Sequence, residues 1–173
     1  MLTRTFADTP LGRVLLVATG IGVVRLAFET EGFDEVIASE AARRGEEPLE
    51  SASPVLGAAR AQLEEYFAGL RREFDLPLDR SGEHGFYGEV RALLPSIPYG
   101  TTLSYSALAA AAGRPKAHRA AASACATNPL PILVPCHRVM RRDGSFGGYL
   151  AGLEAKRFLL DLEAGDARPG APS

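Results

Sequence analysis

Ser104-Tyr105-Ser106-Ala107-Leu108-Ala109-Ala110-Ala111-Ala112-Gly113-Arg114-Pro115-Lys116-Ala117-His118-Arg119-Ala120-Ala121-Ala122-Ser123-Ala124-Cys125-Ala126 reads as two short helices in close succession. Ser104 or Thr102 caps the first, about 104 to 112, and Gly113 stops it. Pro115 suits the first turn of the second, and Asn128-Pro129 halts it. Helix, three-residue turn, helix is helix-turn-helix geometry. A helical hairpin buried in a core produces the same pattern, so composition has to sharpen it. Nearly every side chain from Lys116 to Ala126 is small. Such a helix either lies against the core where space is short, or brings its backbone close to a partner. In the second case Lys116, Arg119 and the helix's own first N–H groups are placed to meet phosphates.

Downstream lies Asn128-Pro129-Leu130-Pro131-Ile132-Leu133-Val134-Pro135-Cys136-His137-Arg138-Val139. Its prolines restrict the backbone around an apolar run, which predicts a stiff, extended segment delivering Cys136 to a fixed place. A thiol reacts as its thiolate, and neighbouring cations favour that form. In a straight strand His137 would point away from Cys136, so the chain must bend, or a water must bridge, for the histidine to act as base. An isolated Cys-His pair is more often accidental than catalytic. Cys125, set among alanines, reads as a small packing residue.

Upstream, Gly12 to Thr19 and Ile21 to Phe28 are aliphatic and β-branched runs around a Thr-Gly turn, a β-hairpin pattern. Residues 33 to 44 have helical spacing, and 45 to 54 read as a loop. Val55, Ala59, Leu63, Tyr66 and Phe67 mark a second helix ended by Gly69, and Arg72 to Leu78 is strand-like. This portion offers no nucleophile–base pair and no Gly-rich phosphate loop, and reads as scaffold. Arg80 to Gly85 has linker composition. The expected organisation is an α+β scaffold domain at 1-82, a helical domain with a winged-helix-like helix-turn-helix at 83-163, and a flexible tail at 164-173.

Composition bounds the function. The chain has 173 residues, 46% hydrophobic and 23% charged, as soluble globular proteins have. It carries no apolar run of membrane-spanning length and no signal-peptide h-region at Met1 to Arg4, so a cytoplasmic protein without a membrane partner is expected. Two cysteines build no disulfide framework, and histidines at 84, 118 and 137 build no zinc spacing, so no metal is expected. The net charge of −2 hides an asymmetry. Residues 1 to 80 hold nine Lys and Arg against fourteen Asp and Glu, whereas residues 81 to 163 hold nine against six. A basic second half points to a polyanion, although an ordinary solvated face gives the same count.

From Phe86 to Glu163 the chain resembles the O6-alkylguanine-DNA alkyltransferases, the methylated-DNA-protein-cysteine methyltransferases. The likeness is carried by Ile97-Pro98-Tyr99-Gly100, Ser104-Tyr105, Gly113 with Pro115 and Lys116, Asn128-Pro129, Pro135-Cys136-His137-Arg138-Val139, Gly147-Gly148-Tyr149, and Lys156 to Glu163. Thr9-Pro10-Leu11-Gly12 and Tyr66-Phe67 to Leu78 look like the family's first domain.

The resemblance implies a single-use reaction. Cys136 attacks the alkyl carbon on guanine O6 and keeps the group as a thioether, with no cofactor. His137, polarised by Glu163, takes the thiol proton, and Tyr105 eases the charge on the departing guanine. Asn128 holds the turn into the active-site segment. Arg119 fills the gap left by a flipped nucleotide, while Lys116, Ala120, Ser123 and Arg138 belong to the DNA surface. Pro135, Val139, Tyr149, Leu150 and Ala151 line or support the pocket. The implied partner is double-stranded DNA containing O6-alkylguanine, met by a monomer without an obligate protein partner. The plain alternatives are a solvent-facing helix arginine for Arg119 and a core tyrosine for Tyr105.

Three departures from the family pattern stand out. Arg91 occupies the usual place of a Trp after Val90, Ala122 and Ala126 replace glycines, and Leu150-Ala151 stands where small residues are usual. Bulk at 150 would narrow acceptance of large alkyl groups. The rivals are a lesion sensor of the same fold, which Cys136 argues against; a Cys-His hydrolase, for which no oxyanion-hole motif is found; and a helix-turn-helix regulator, whose recognition helix would carry base-reading side chains rather than alanine.

Overall fold

The computed structural model describes residues 1 to 165; most of the expected tail, from residue 166 on, lies outside the described residues. The chain divides into two compact units, Met1–Ser81 and Gly82 onward. The α+β class is borne out.

The first unit is a four-stranded sheet with two helices. The elements are β1 (Thr3–Thr9), β2 (Gly12–Ala18), β3 (Val23–Phe28), α1 (Phe33–Arg44), β4 (Leu49–Glu50) and α2 (Pro54–Phe67). Strand order is β3-β2-β1-β4, antiparallel except for the short β1–β4 pair. β2 is central and its last five residues are buried, which is why it reads as a continuous aliphatic run rather than an alternating one. Leu15 and Val17 join Leu2, Val24, Ala27 and Val36 of α1 in one cluster. Val14 and Leu16, of opposite parity, are also fully buried, and α2 packs on the same strands.

β1 is a full strand that pairs with β2 from Thr3↔Ala18 to Thr9↔Gly12. Two readings of this unit are corrected. The loop at 45 to 54 contains β4, which adds to the β1 edge. Arg72 to Leu78 is not a strand beyond one isolated bridge between Leu78 and Val23. There Pro77 has no N–H to continue a ladder, and only its carbonyl and the Asp79 N–H bond Val23.

The second unit holds α3 (Gly85–Leu93), β5 (Leu103–Ser104), α4 (Tyr105–Ala111), α5 (His118–Ala126), β6 (Val139–Met140) and α6 (Leu153–Glu163). α3, α4 and α5 pack on one another. Ser104 caps α4, its hydroxyl accepting from the Ala107 N–H at 3.0 Å, and Gly113 at φ +81° turns the chain away. The connection to α5 is six residues rather than three. Pro115 does not open the helix: it is the second residue of a turn closed by Ala117 N–H to Arg114 O at 2.9 Å, a position suited to its fixed φ. Lys116 therefore precedes α5. The accompanying strands are parallel, pairing Leu103 with Val139 and Ser104 with Met140, so that the start of α4 lies beside the chain just past Cys136-His137-Arg138. No helix among the described residues is long and apolar enough to cross a membrane.

Candidate active site

Asn128, fully buried, organises the segment that carries the cysteine. Its Oδ1 accepts from Leu130 N–H at 3.1 Å and its Nδ2 donates to Val134 O at 2.9 Å, so one amide staples both ends of a tight turn. Ile132 inside that turn has φ +72°, uncommon for a β-branched residue and costing on the order of 1–3 kcal/mol. The expected extended segment is thus corrected: the prolines and the Asn128 staple fold it back on itself. It ends in a single 3-10 turn, Cys136–Arg138. With three residues per turn, adjacent side chains diverge by about 120° rather than pointing to opposite faces, which supplies the bend that His137 requires.

All three residues of that turn are buried, against the C-terminal end of α6. His137 Nε2 lies 2.7 Å from Glu163 Oε1. Arg138 donates from Nε to Glu163 Oε2 and from Nη2 to Oε1, both at 2.9 Å, and from Nη1 to Ile97 O at 2.7 Å. The placement of Arg138 at the DNA surface is corrected: its guanidinium is consumed by Glu163 and a backbone carbonyl. Burial holds the His137 pKa below its usual 6.5; the Glu163 carboxylate opposes this, but its charge is shared with Arg138. A neutral imidazole giving its Nε2–H to Glu163 leaves Nδ1 as a lone pair, and Nδ1 has no hydrogen-bond partner among the described residues.

Cys136 is 3% exposed, and burial pushes its thiol above the usual 9.0, opposed by the Asn128 amide and by Lys156. The resting sulfur is therefore a protonated thiol that needs a base. Tyr105, at the start of α4, is driven up to about 12 by burial, with the Cys125 and Cys136 sulfurs adding to it, so it remains a hydroxyl donor. Lys156, overlooked as a site residue, is fully buried. Its Nζ donates to Val139 O at 2.6 Å and approaches Tyr105 Oη at 3.4 Å. The available signal was its spacing: Lys156 and Glu163 are seven apart on α6 and share one face. Opposite, Gly147 leaves room for the phenol, since a Cβ there would stand 2.0 Å from Tyr105 Oη. Cys125 is buried, and neither cysteine is bridged.

Above Tyr105 opens a pocket of about 830 Å³ lined by α4, α5 and the chain from Arg141 to Gly148. Arg119 and Ser123, both exposed, line it, as do Ala122 and Ala126. The remaining expected residues do not. Lys116 is exposed and Ala120 half-buried, Pro135 and Val139 are buried, and Tyr149, Leu150 and Ala151 are half-buried outside the lining. Beneath α5, Arg91 donates from Nε to Ala124 O and from Nη2 to Thr127 O, both at 2.9 Å, and to Thr127 Oγ1 at 2.6 Å.

Comparison with known proteins agrees with this geometry. Residues 85–165 match the family model described as 6-O-methylguanine DNA methyltransferase, DNA binding domain, and residues 2–80 match its ribonuclease-like domain. The constitutive methylated-DNA--protein-cysteine methyltransferase of Bacillus subtilis is 41% identical over 160 residues, 92% of this chain and 93% of that one. Its counterpart from Methanosarcina acetivorans is 41% identical over 156 residues, covering 90% and 94%. Among solved structures, the Mycobacterium tuberculosis O6-methylguanine methyltransferase superposes with a TM-score of 0.81 at 35% identity, covering 97% and 96%. The M. tuberculosis OGT in complex with DNA gives 0.80 at 34% identity, covering 95% and 94%. Matched along both of its units, the chain belongs to the 6-O-methylguanine DNA methyltransferase family.

Proposed function

We propose that this protein repairs DNA by moving the alkyl group of an O6-alkylguanine, chiefly methyl, onto Cys136, once per molecule. The observation that carries the reading is the buried Cys136 thiol followed directly by His137, whose Nε2 is committed to Glu163 and whose Nδ1 has no hydrogen-bond partner among the described residues. The thiol proton passes to His137 Nδ1, directly or through a water. The thiolate then attacks the alkyl carbon, forming S–C as C–O6 breaks. The electron pair leaves with guanine, which takes a proton from the Tyr105 hydroxyl, and that hydroxyl is reprotonated from solvent. The product thioether has no hydrolytic route back, so the protein is spent.

A thiol this buried cannot reach a base held in the stack, so the nucleotide is extruded at a cost of a few kcal/mol. The small residues of α5 suit close approach to a groove, and Arg119 on the pocket rim is the side chain to fill the vacated place. The reading puts the protein in the cytoplasm with the chromosome, acting as a monomer without a cofactor.

The test is mass spectrometry of the intact protein and its peptides after mixing with excess duplex carrying one O6-methylguanine. The expected result is a gain of one methylene unit on the Cys136 peptide, saturating at one per protein. Lesion binding with no adduct would replace this reading with a non-enzymatic sensor.

A further inference from the structure

The pocket lining carries two further cations to which the transfer chemistry assigns no role. Arg141 and Arg142 line it together with Arg119, and both are exposed. They sit on a closed turn: Arg141 N–H donates to Ser145 O at 2.9 Å, Gly144 N–H donates to Arg141 O at 3.0 Å, and Gly144 has φ +82°. That is a short loop with glycine at its left-handed position, so the two guanidinium groups are offered from a fixed backbone. The nearest acid in sequence, Asp143, also lines the pocket: its Oδ1 accepts from Ser145 N–H at 2.9 Å and from Ser145 Oγ at 2.6 Å, and its charge offsets part of that of Arg141. Among the described residues neither arginine is within ion-pair distance of a carboxylate.

Two guanidinium groups beside a single carboxylate leave an excess of positive charge on the turn, which an anion relieves. The pocket, at about 830 Å³, is roomier than a purine base alone demands. An extruded base also brings its sugar and flanking phosphates to the pocket rim, where the turn lies. Arginine is suited to them, since its planar fork takes phosphate oxygens in pairs.

We infer that Arg141 and Arg142 form a phosphodiester-binding site, separate from Arg119, which holds the backbone of the strand whose nucleotide enters the pocket. This rests on the alkyl-transfer reading above. Arg119 fills the space the base leaves, and the turn grips the strand that has moved.

The test measures affinity of the full chain for a duplex carrying one O6-methylguanine across a salt series, in a Cys136→Ala background to prevent reaction. Removing one neutralised phosphate lowers the slope of log K against log salt by about 0.9, so R141A/R142A should reduce it by about 1.8. R141K/R142K should restore it, since counterion release follows charge. An unchanged slope in the Ala pair, or an equal loss in the Lys pair, would overturn the site. The mass-spectrometric adduct on the Cys136-bearing protein separates the two ideas. No adduct removes the transferase reading, whereas an adduct with an unchanged slope removes only the phosphate site.

Discussion

Arg138 and Glu163 meet through two hydrogen bonds of 2.9 Å, one from Nε and one from Nη2, with both side chains nearly excluded from solvent. The pair neutralises the carboxylate that His137 also bonds, which leaves the imidazole polarised yet uncharged. Glu163→Gln would keep an acceptor for His137 but strand a buried guanidinium. Removing one partner of a buried pair costs about 3–5 kcal/mol, and for a chain this size each kcal/mol lowers Tm by about 2–4 °C. A calorimetric Tm drop of about 6–20 °C is expected; a shift under about 2 °C would mean that Arg138 finds other partners.

Proton inventory fixes a pH profile. His137 sits below its usual 6.5 and the Cys136 thiol above its usual 9.0, both through burial. The reactive pair, neutral imidazole and intact thiol, is then the dominant form across the window between those values. The transfer rate on duplex should be flat over it and fall only on the acid side of 6.5. A thiolate–imidazolium pair would instead show thiolate absorbance near neutrality, which an ultraviolet titration reads directly. Stability moves the same way. Below 6.5 the unfolded histidine binds a proton that the folded one refuses, so unfolding is favoured as pH falls through this range toward the folded pKa.

How much of this was legible in the sequence depends on whether the signal was local. Gly113, Ser104 and the aliphatic runs of β2 and β3 act on their immediate neighbours, and their elements follow from residue type alone. Cys136 and His137 were legible as a dipeptide, and Glu163 through family resemblance. What could not be read was the partner of a long side chain. Arg138 looks like a surface cation until Glu163 is brought 25 positions along the chain to meet it. The path of the Asn128 to Pro135 segment was misjudged for a related reason. Prolines argue for extension, but the amide of Asn128 reaches six residues ahead and closes the turn.

Gly147 offers a local test of Tyr105. A methyl group there would stand 2.0 Å from the phenol oxygen and 2.6 Å from two ring carbons, and a rigid ring cannot yield by a small rotation. Gly147→Ala should therefore displace the Tyr105 hydroxyl while leaving Cys136 and His137 in place. If the hydroxyl donates to the departing guanine, the single-turnover transfer rate falls by about 100-fold, the size found for loss of one such donor. Lesion-DNA affinity should change far less than the rate. Equal losses in both would assign Tyr105 to packing.

Arg91 ties α3 to the C-terminal end of α5, and through it to the turn that begins at Asn128. Its fork meets Ala124 O and Thr127 O, carbonyls that a helix end leaves without intrahelical partners and that carry the negative end of the helix dipole. Thr127 Oγ1 accepts from the same guanidinium and donates to Ser123 O at 2.8 Å, so the last turn of the helix is closed by one connected set of bonds. Hydrogen bonds to a charged group contribute about 1.5–3 kcal/mol, and Arg91→Leu, which keeps the apolar bulk, should lose an amount in that range. Because the bonds are shared, its effect should not add to that of Thr127→Val. A double-mutant cycle on denaturant unfolding should give a coupling of at least about 0.5 kcal/mol. Additivity within about 0.3 kcal/mol would mean that Arg91 acts through α3 packing alone. The same loosening should be felt where Ser123 and Arg119 line the pocket, one and two turns earlier on α5. Arg91→Leu should then slow transfer on duplex by more than on free O6-methylguanine, since only the duplex needs that helix held in place.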